Sequence, residues 1–248
     1  MTPLAERLRP TSLDGYIGQE HLIGKNAVLR RAIESGHIPS MIFWGPPGVG
    51  KTTLAYIISK QVQRQFFVLS AVSSGVKDVR EVYDRARMAP EPPILFIEEI
   101  HRFSTAQQDS LLGAVERGLV TLIGATTENP SFEVISPLLS RCQVYILKEL
   151  EKDDLKKLIV NAINTLKEDY KKDIVVEEDE ALMQISGGDA RKLLNAIDLV
   201  VGMLDDAQPN AKKLVVNNEV TTSYIQSNLL KYDRLGEMHY DIISAFIK

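Results

Sequence analysis

Eight consecutive residues, Gly45-Pro46-Pro47-Gly48-Val49-Gly50-Lys51-Thr52, constrain this chain more than any other stretch of it. They satisfy the pattern G-x-x-x-x-G-K-[ST] at every fixed position. The pattern carries chemistry only between a buried strand and the start of a helix, and both flanks are present. Met41–Trp44 is a short apolar strand, and residues 51–62 repeat Leu54, Ile57, Ile58 and Val62 at helical spacing. In that setting the glycines let backbone N–H groups turn inward around phosphates, and the helix N-terminus adds its dipole. Lys51 offers a point charge to the β- and γ-phosphates, and the Thr52 hydroxyl offers an oxygen ligand to Mg²⁺. Thr53 follows in the first helical turn, so residues 45–53 form the candidate nucleotide-binding set.

The rest of the first 150 residues alternates between two periods. Residues 66–69 read as a strand and 76–88 as a helix; 94–97 form a continuous apolar run behind Pro92-Pro93, as in a strand buried on both faces. A helix over 105–117 stops at Gly118, and strands follow at 120–125 and 144–147. Strands alternating with helices imply a parallel sheet covered on both sides. The first 40 residues are less regular, mixing charge with Pro and Gly before a short amphipathic helix at 28–35. Past Glu149 no strand of comparable strength is visible, and 151–167, 178–185, 189–204 and 219–230 read as helices around a polar loop at 205–213. The expectation is an α/β nucleotide-binding domain at 1–149 and an all-helical domain at 150–232. Residues 233–248 would begin a further helical region, with Tyr240, Ile243, Phe246 and Ile247 on its apolar face.

Two strand ends add candidate chemistry. Ile94-Leu95-Phe96-Ile97 closes in Glu98-Glu99, an arrangement in which the first carboxylate serves the magnesium shell and the second orients or deprotonates an attacking water. Two solvated glutamates capping a strand would look the same in isolation; the phosphate loop upstream tips the balance. Leu122-Ile123-Gly124-Ala125 closes in Thr126-Thr127-Glu128-Asn129, polar groups able to hydrogen-bond a γ-phosphate or a water.

Composition narrows the class without choosing a partner. The net charge of −4, from 29 basic and 33 acidic residues, argues against a domain that coats nucleic acid by global positive charge, but a local basic stripe stays open. No apolar run approaches the ~18 residues a membrane span needs, so no membrane partner is expected. The charged N-terminus lacks a signal core, and the single cysteine, Cys142, allows no internal disulfide; both fit a cytoplasmic protein. His21, His37, His101 and His239 show no metal-ligand spacing and read as surface or capping residues. His101-Arg102 could reach DNA or a neighbour, with structural packing an equally good reading.

Beyond the loop, the strings PLAERLRPTSLDGYIGQEHLIG, HRFSTAQQDSLLGAVERG, TLIGATTENPSFEV, LLSRC, SGGDARKLLN and HYDIISAFIK identify the chain with a family. It resembles AAA+ ATPases of the clamp-loader group and, more closely, the replication-associated recombination protein A family, related to the Werner-helicase-interacting ATPase. The resemblance implies a P-loop AAA+ sheet followed by a helical lid, with ATP and Mg²⁺ bound at subunit interfaces. It makes Lys51, Glu99 and Thr127 catalytic residues of the same subunit, Thr127 being the sensor at the strand end. Arg141 would be an arginine finger reaching a neighbouring subunit's γ-phosphate. Thr52 and Glu98 would serve the metal, Arg191 would read the nucleotide from the lid, and Tyr16-Ile17-Gly18-Gln19 would wrap the adenine. Implied partners are single-stranded or fork DNA and further copies of the chain, with single-strand-binding protein and replisome components as further candidates. The implied place is the cytoplasm, at the nucleoid in a bacterium.

Two departures follow. The family ordinarily has aspartate where this chain has Glu98, which predicts intact ATP binding and leaves open an assembly factor with weak hydrolysis, or a clamp-loader-like subunit. Relatives also continue past HYDIISAFIK into a helical tetramerisation region, so a shortened chain is expected. A Holliday-junction motor would carry a winged-helix domain, and a bacterial clamp-loader motor subunit four zinc-binding cysteines.

Overall fold

A computed structural model describes residues 2–235 of the chain; the expectation for 236–248 lies outside the described residues. In chain order the elements begin with helices α1 (Leu4–Arg7), α2 (Glu20–Ile23) and α3 (Val28–Glu34). Strand β1 (Met41–Trp44), α4 (Lys51–Gln61), β2 (Phe66–Ser70), α5 (Val76–Ala86) and β3 (Ile94–Glu98) follow. After a 3₁₀ turn at Ile100–Arg102 come α6 (Thr105–Glu116), β4 (Thr121–Thr126), α7 (Pro130–Glu133), α8 (Ser136–Leu139) and β5 (Gln143–Ile146). The remainder is α9 (Lys152–Tyr170), β6 (Asp173–Val176), α10 (Glu180–Ser186), α11 (Ala190–Ala207), β7 (Lys213–Val216) and α12 (Asn218–Leu235).

The first unit, Pro10–Glu149, is built on a five-stranded parallel sheet in the order β2-β3-β4-β1-β5. Its central strands are buried on both faces, and period-two alternation assigns each residue to one of two cores. Met41, Phe43, Ile94, Phe96, Ile123 and Ala125 face the layer of α3 and α4, with Leu29, Ile33, Leu54 and Ile58. Ile42, Leu95, Ile97 and Leu122 face the layer of α5 and α6, with Val79, Val82, Leu111 and Ala114. Helix starts are marked chemically. Ser104 and Gln107 form a reciprocal capping box on α6, and Asn129 caps α7 ahead of Pro130. The strand order places the ends of β3, β4 and β1 side by side at the carboxyl edge, where open α/β sheets bind ligands.

The second unit joins the chain from Leu150 onward with the residues up to Arg9. Leu155, Ile159, Ala162 and Leu166 of α9 pack with Leu193, Ile197, Val200 and Leu204 of α11, a helical seam at i, i+4, i+7 spacing. Two expectations are corrected here. The first nine residues, assigned from the sequence to the α/β domain, pack with the helices instead. Leu4 is fully buried in the helical core, and Arg7 pairs with Asp169 at 2.6 Å. A four-residue helix has no periodicity from which its partner could be read. The helical unit also holds a parallel two-stranded ribbon, with Asp173 opposite Lys213 and Val176 opposite Val216. Each run is only four residues long, and two helices separate them in sequence, so neither announces a strand alone.

Candidate active site

The phosphate loop leaves the end of β1 and is fixed from two sides. The Gly45 N–H donates to the Thr126 carbonyl at 3.2 Å, and a side chain at Gly45 would collide with the backbone carbonyl of Leu147. Gly48 and Gly50 both lie in the left-handed region, at φ 70° and 95°, and Gly50 caps α4. Lys51 is buried, and its ammonium donates to the carbonyls of Gly45 at 2.6 Å and Pro46 at 2.7 Å. Pro47 is exposed at the loop's tip, Val49 is buried beneath it, and Thr53 is half-buried in the first turn of α4.

Tyr16 locks the loop from outside the motif. Its hydroxyl donates to the Val49 carbonyl at 3.1 Å and occupies the space a Gly50 side chain would need. Burial pushes the phenol pKa upward, so the group stays a donor. Ile17 is half-buried beside it. Gly18 and Gln19 follow with consecutive left-handed backbones, φ 82° and 60°. The turn aims the Gln19 carboxamide at Lys148 just after β5, donating to its carbonyl at 2.7 Å and accepting from its N–H at 2.9 Å. His21 reaches the Ile146 carbonyl at 2.8 Å. The clamping roles of Gln19 and His21 escape sequence reasoning, because their partners lie over 120 positions away.

At the end of β3 the two carboxylates separate. Glu98 accepts a hydrogen bond from the Thr52 hydroxyl at 3.0 Å, joining the first turn of α4 to the end of β3. Glu99 leaves the strand with a left-handed backbone, φ 53°, which costs a non-glycine residue on the order of 1 kcal/mol and is typical of functional sites. That kink brings Glu99 Oε2 within 3.4 Å of the Thr127 hydroxyl and 3.4 Å of His101 Nε2. His101 Nδ1 lies 3.0 Å from the Thr126 hydroxyl, which also accepts from the Glu128 N–H at 3.0 Å. His101, for which the sequence also offered structural packing or contact with DNA or a neighbour, is 11% exposed and part of this cluster. Among the described residues no group of three or more His, Cys, Asp or Glu side chains could hold a metal. The oxygen pair Thr52–Glu98 nonetheless suits a hard divalent cation that takes its other ligands from phosphate and water.

Arg141 makes its contacts elsewhere in the same unit. Arg141 follows α8, half-exposed, donates to the Pro137 carbonyl at 2.6 Å, and pairs with Glu116 at the end of α6. The adjacent Cys142 thiol is pushed up to about 12 by burial and so is held as a packing group. Arg191 belongs to the helical unit, in the first turn of α11, where its backbone N–H donates to the capping Asp189 carboxylate at 2.8 Å. Asn129, beyond Thr127, spends its side chain on the N–H of Ser131.

A phosphate-loop sheet with these strand ends defines the AAA class, and sequence comparison agrees. Residues 41–150 match the family described as "ATPase family associated with various cellular activities (AAA)", and 169–248 match the AAA C-terminal domain. The chain is 45% identical to replication-associated recombination protein A of Haemophilus influenzae, covering 99% of this chain and 56% of that protein. Identity to the Escherichia coli protein of the same name is 43%, with the same coverages. The ATPase WRNIP1 of Dictyostelium discoideum matches at 40% over 99% of this chain and 30% of that protein. The Thermotoga maritima RuvB Holliday junction branch migration motor superposes with a TM-score of 0.73 at 30% identity, covering 89% of this chain and 72% of that one. The chain belongs to the replication-associated recombination protein A family of AAA+ proteins. It spans about 56% of the length of the two bacterial relatives.

Proposed function

We propose that the chain is the ATP-hydrolysing core of a DNA-dependent ATPase that acts in replication-associated recombination and repair at stalled forks. The observation that carries this reading is the 3.0 Å hydrogen bond from Thr52 to Glu98, which unites the phosphate loop and the β3 carboxylate at one point. On this reading residues 45–53 cradle the triphosphate and Lys51 turns its ammonium from the loop carbonyls to the β- and γ-phosphates. Bound there, Mg²⁺ would neutralise developing phosphate charge, held on the protein side by Thr52 and Glu98. Glu99 orients the attacking water and takes its proton, while Thr127 hydrogen-bonds the γ-phosphate. Tyr16 and Ile17 line the base, Arg191 reads the nucleotide from the helical unit, and Arg141 completes the site of the next subunit in an oligomer. Single-stranded or fork DNA is the partner, and single-strand-binding protein and replisome components are candidates beyond it. The work is done in the cytoplasm, at the nucleoid in a bacterium.

A second reading, an ATP-binding assembly factor with little turnover, rests on Glu98 standing where relatives carry aspartate. The direct Thr52–Glu98 contact favours hydrolysis, because the longer side chain still delivers its oxygen to the hydroxyl. Mg²⁺-dependent phosphate release, measured with and without single-stranded DNA, separates the two. Release that vanishes in Lys51→Ala supports the ATPase. Absence of release in the unmodified protein, together with a large gain in Glu98→Asp, supports the assembly factor.

A further inference from the structure

We propose that His101 is a positioning residue that holds the Glu99 carboxylate in its water-orienting pose and ties that pose to the turn after β4. The inference rests on the assignment of Glu99 above, and it is carried by geometry. The His101 ring bridges two functional strand ends, with Nε2 3.4 Å from Glu99 Oε2 and Nδ1 3.0 Å from Thr126 Oγ1.

The partners dictate which way the ring works. A neutral imidazole has one N–H and one lone pair. A lone pair on Nε2 would face the lone pairs of a carboxylate, so Nε2 is the nitrogen that donates. Nδ1 is then an acceptor, and Thr126 can satisfy it. The Thr126 oxygen accepts from the Glu128 N–H, and its own proton has the Glu128 carbonyl at 3.1 Å and His101 Nδ1 at 3.0 Å as acceptors. The result is a relay from the Glu128 N–H through Thr126 to His101, whose Nε2 faces Glu99 across 3.4 Å, an ion-pair contact longer than an ordinary N–H···O hydrogen bond. Thr127, next in sequence to Thr126, donates to the same Glu99 oxygen. Both contacts fall on one oxygen and leave Oε1 for water; once the single Thr127 proton turns to the γ-phosphate, His101 is the contact that stays on Glu99.

The grip has a task. Glu99 is held in a left-handed backbone and its side chain is 35% exposed, so nothing in its own strand fixes its rotamer. His101 comes from the 3₁₀ turn that immediately follows, and Ile100 anchors that turn, fully buried against Gly124 of β4. A shift of the Thr126–Thr127 turn, the segment expected to touch the γ-phosphate, would therefore be transmitted to Glu99 through the ring.

The test uses steady-state ATP hydrolysis by the purified protein with four single variants and one double. His101→Gln keeps an N–H where Nε2 stood and can still donate to Glu99. His101→Asn keeps a polar group only where Nδ1 stood and can still meet Thr126. The expectation is that kcat falls about tenfold in His101→Ala and His101→Asn and stays within about threefold in His101→Gln, with KM for ATP unchanged in all. Glu99→Gln should lose turnover while binding ATP, and adding His101→Ala to it should cost nothing more, as expected of two groups acting through one contact. Equal recovery by Gln and Asn, an unchanged kcat in His101→Ala, or a loss confined to KM overturns the positioning role. If Glu99→Gln alone hydrolyses ATP normally, the assignment of Glu99 fails, and the His101 proposal falls with it.

Discussion

The phosphate loop and the turn bearing Arg141 belong to the same unit and are held on opposite terms. The loop is pinned by backbone: Gly45 against the Leu147 carbonyl, Gly50 against Tyr16, Lys51 buried among loop carbonyls. The Arg141 side chain is half-exposed and held by one ion pair, to Glu116, and by contacts to Pro137 and Ser140. A rigid frame keeps the backbone donors where a triphosphate needs them, and the Lys51 side chain is the one group of the loop that turns on binding. A lightly held arginine can exchange its partner for a phosphate on another molecule at small cost. The difference teaches that changes in the frame should register in stability and affinity, and changes in the turn in turnover alone.

The largest expected effect is at Arg141. If the finger acts in trans, Arg141→Ala lowers turnover of the assembled protein about a thousandfold, the low end for such residues. Nucleotide affinity and melting temperature should hardly move. Mixing Arg141→Ala subunits with Glu99→Gln subunits should restore part of the hydrolysis, since a nucleotide on an Arg141→Ala subunit keeps its base and draws its finger from a Glu99→Gln neighbour. Mixtures that stay inactive would place Arg141 in its own subunit's site and erase the contrast.

Gly45→Ala tests the frame and should be next in size. The added methyl meets a backbone carbonyl that cannot swing aside, so a loss of roughly 1–3 kcal/mol is expected, read as a lower urea midpoint at unchanged m. Gly118→Ala serves as the control. That residue has φ 63° with open space around it, so only backbone strain of about 1 kcal/mol is expected. Equal losses at the two sites would mean that the Leu147 contact yields and that the loop is less rigid than its packing suggests.

Much of this frame was readable in the sequence because its signals are local. Residues 45–52 sit inside one strand–loop–helix unit, and the strands ending at Glu98 and Thr126 are apolar runs whose burial follows from composition. What escaped depends on contacts between distant residues. Leu4 docks in a core built from residues beyond 149, and Asp173–Val176 becomes a strand only by pairing with Lys213–Val216. Gln19 finds its partner at Lys148. His101 was passed over for a related reason: a histidine is sought at metal-ligand spacing, and this one works by bridging two strand ends. The left-handed kink at Glu99, which sends the paired glutamates to different partners, leaves no trace in residue type.

Smaller effects sharpen the contrast from each side. Tyr16→Phe removes the donor to the Val49 carbonyl, and with it the oxygen nearest Gly50, while keeping the ring against the loop. It should cost about 1 kcal/mol of stability and weaken ATP binding severalfold, seen in an unfolding curve and a fluorescent-nucleotide titration.

Glu116→Ala is the complementary change in the turn, and the smallest. The ion pair it deletes joins two partly exposed side chains, 38% and 47%, so its contribution to stability should stay below about 1 kcal/mol and shrink with added salt. Its effect on turnover is the more informative reading. If Glu116 only occupies the arginine until a neighbouring γ-phosphate replaces it, Glu116→Ala leaves kcat within about twofold of the parent. A fall approaching that of Arg141→Ala would mean that Glu116 aims the finger. The turn would then be a second preorganised half of the site, as constrained in direction as the loop is in shape.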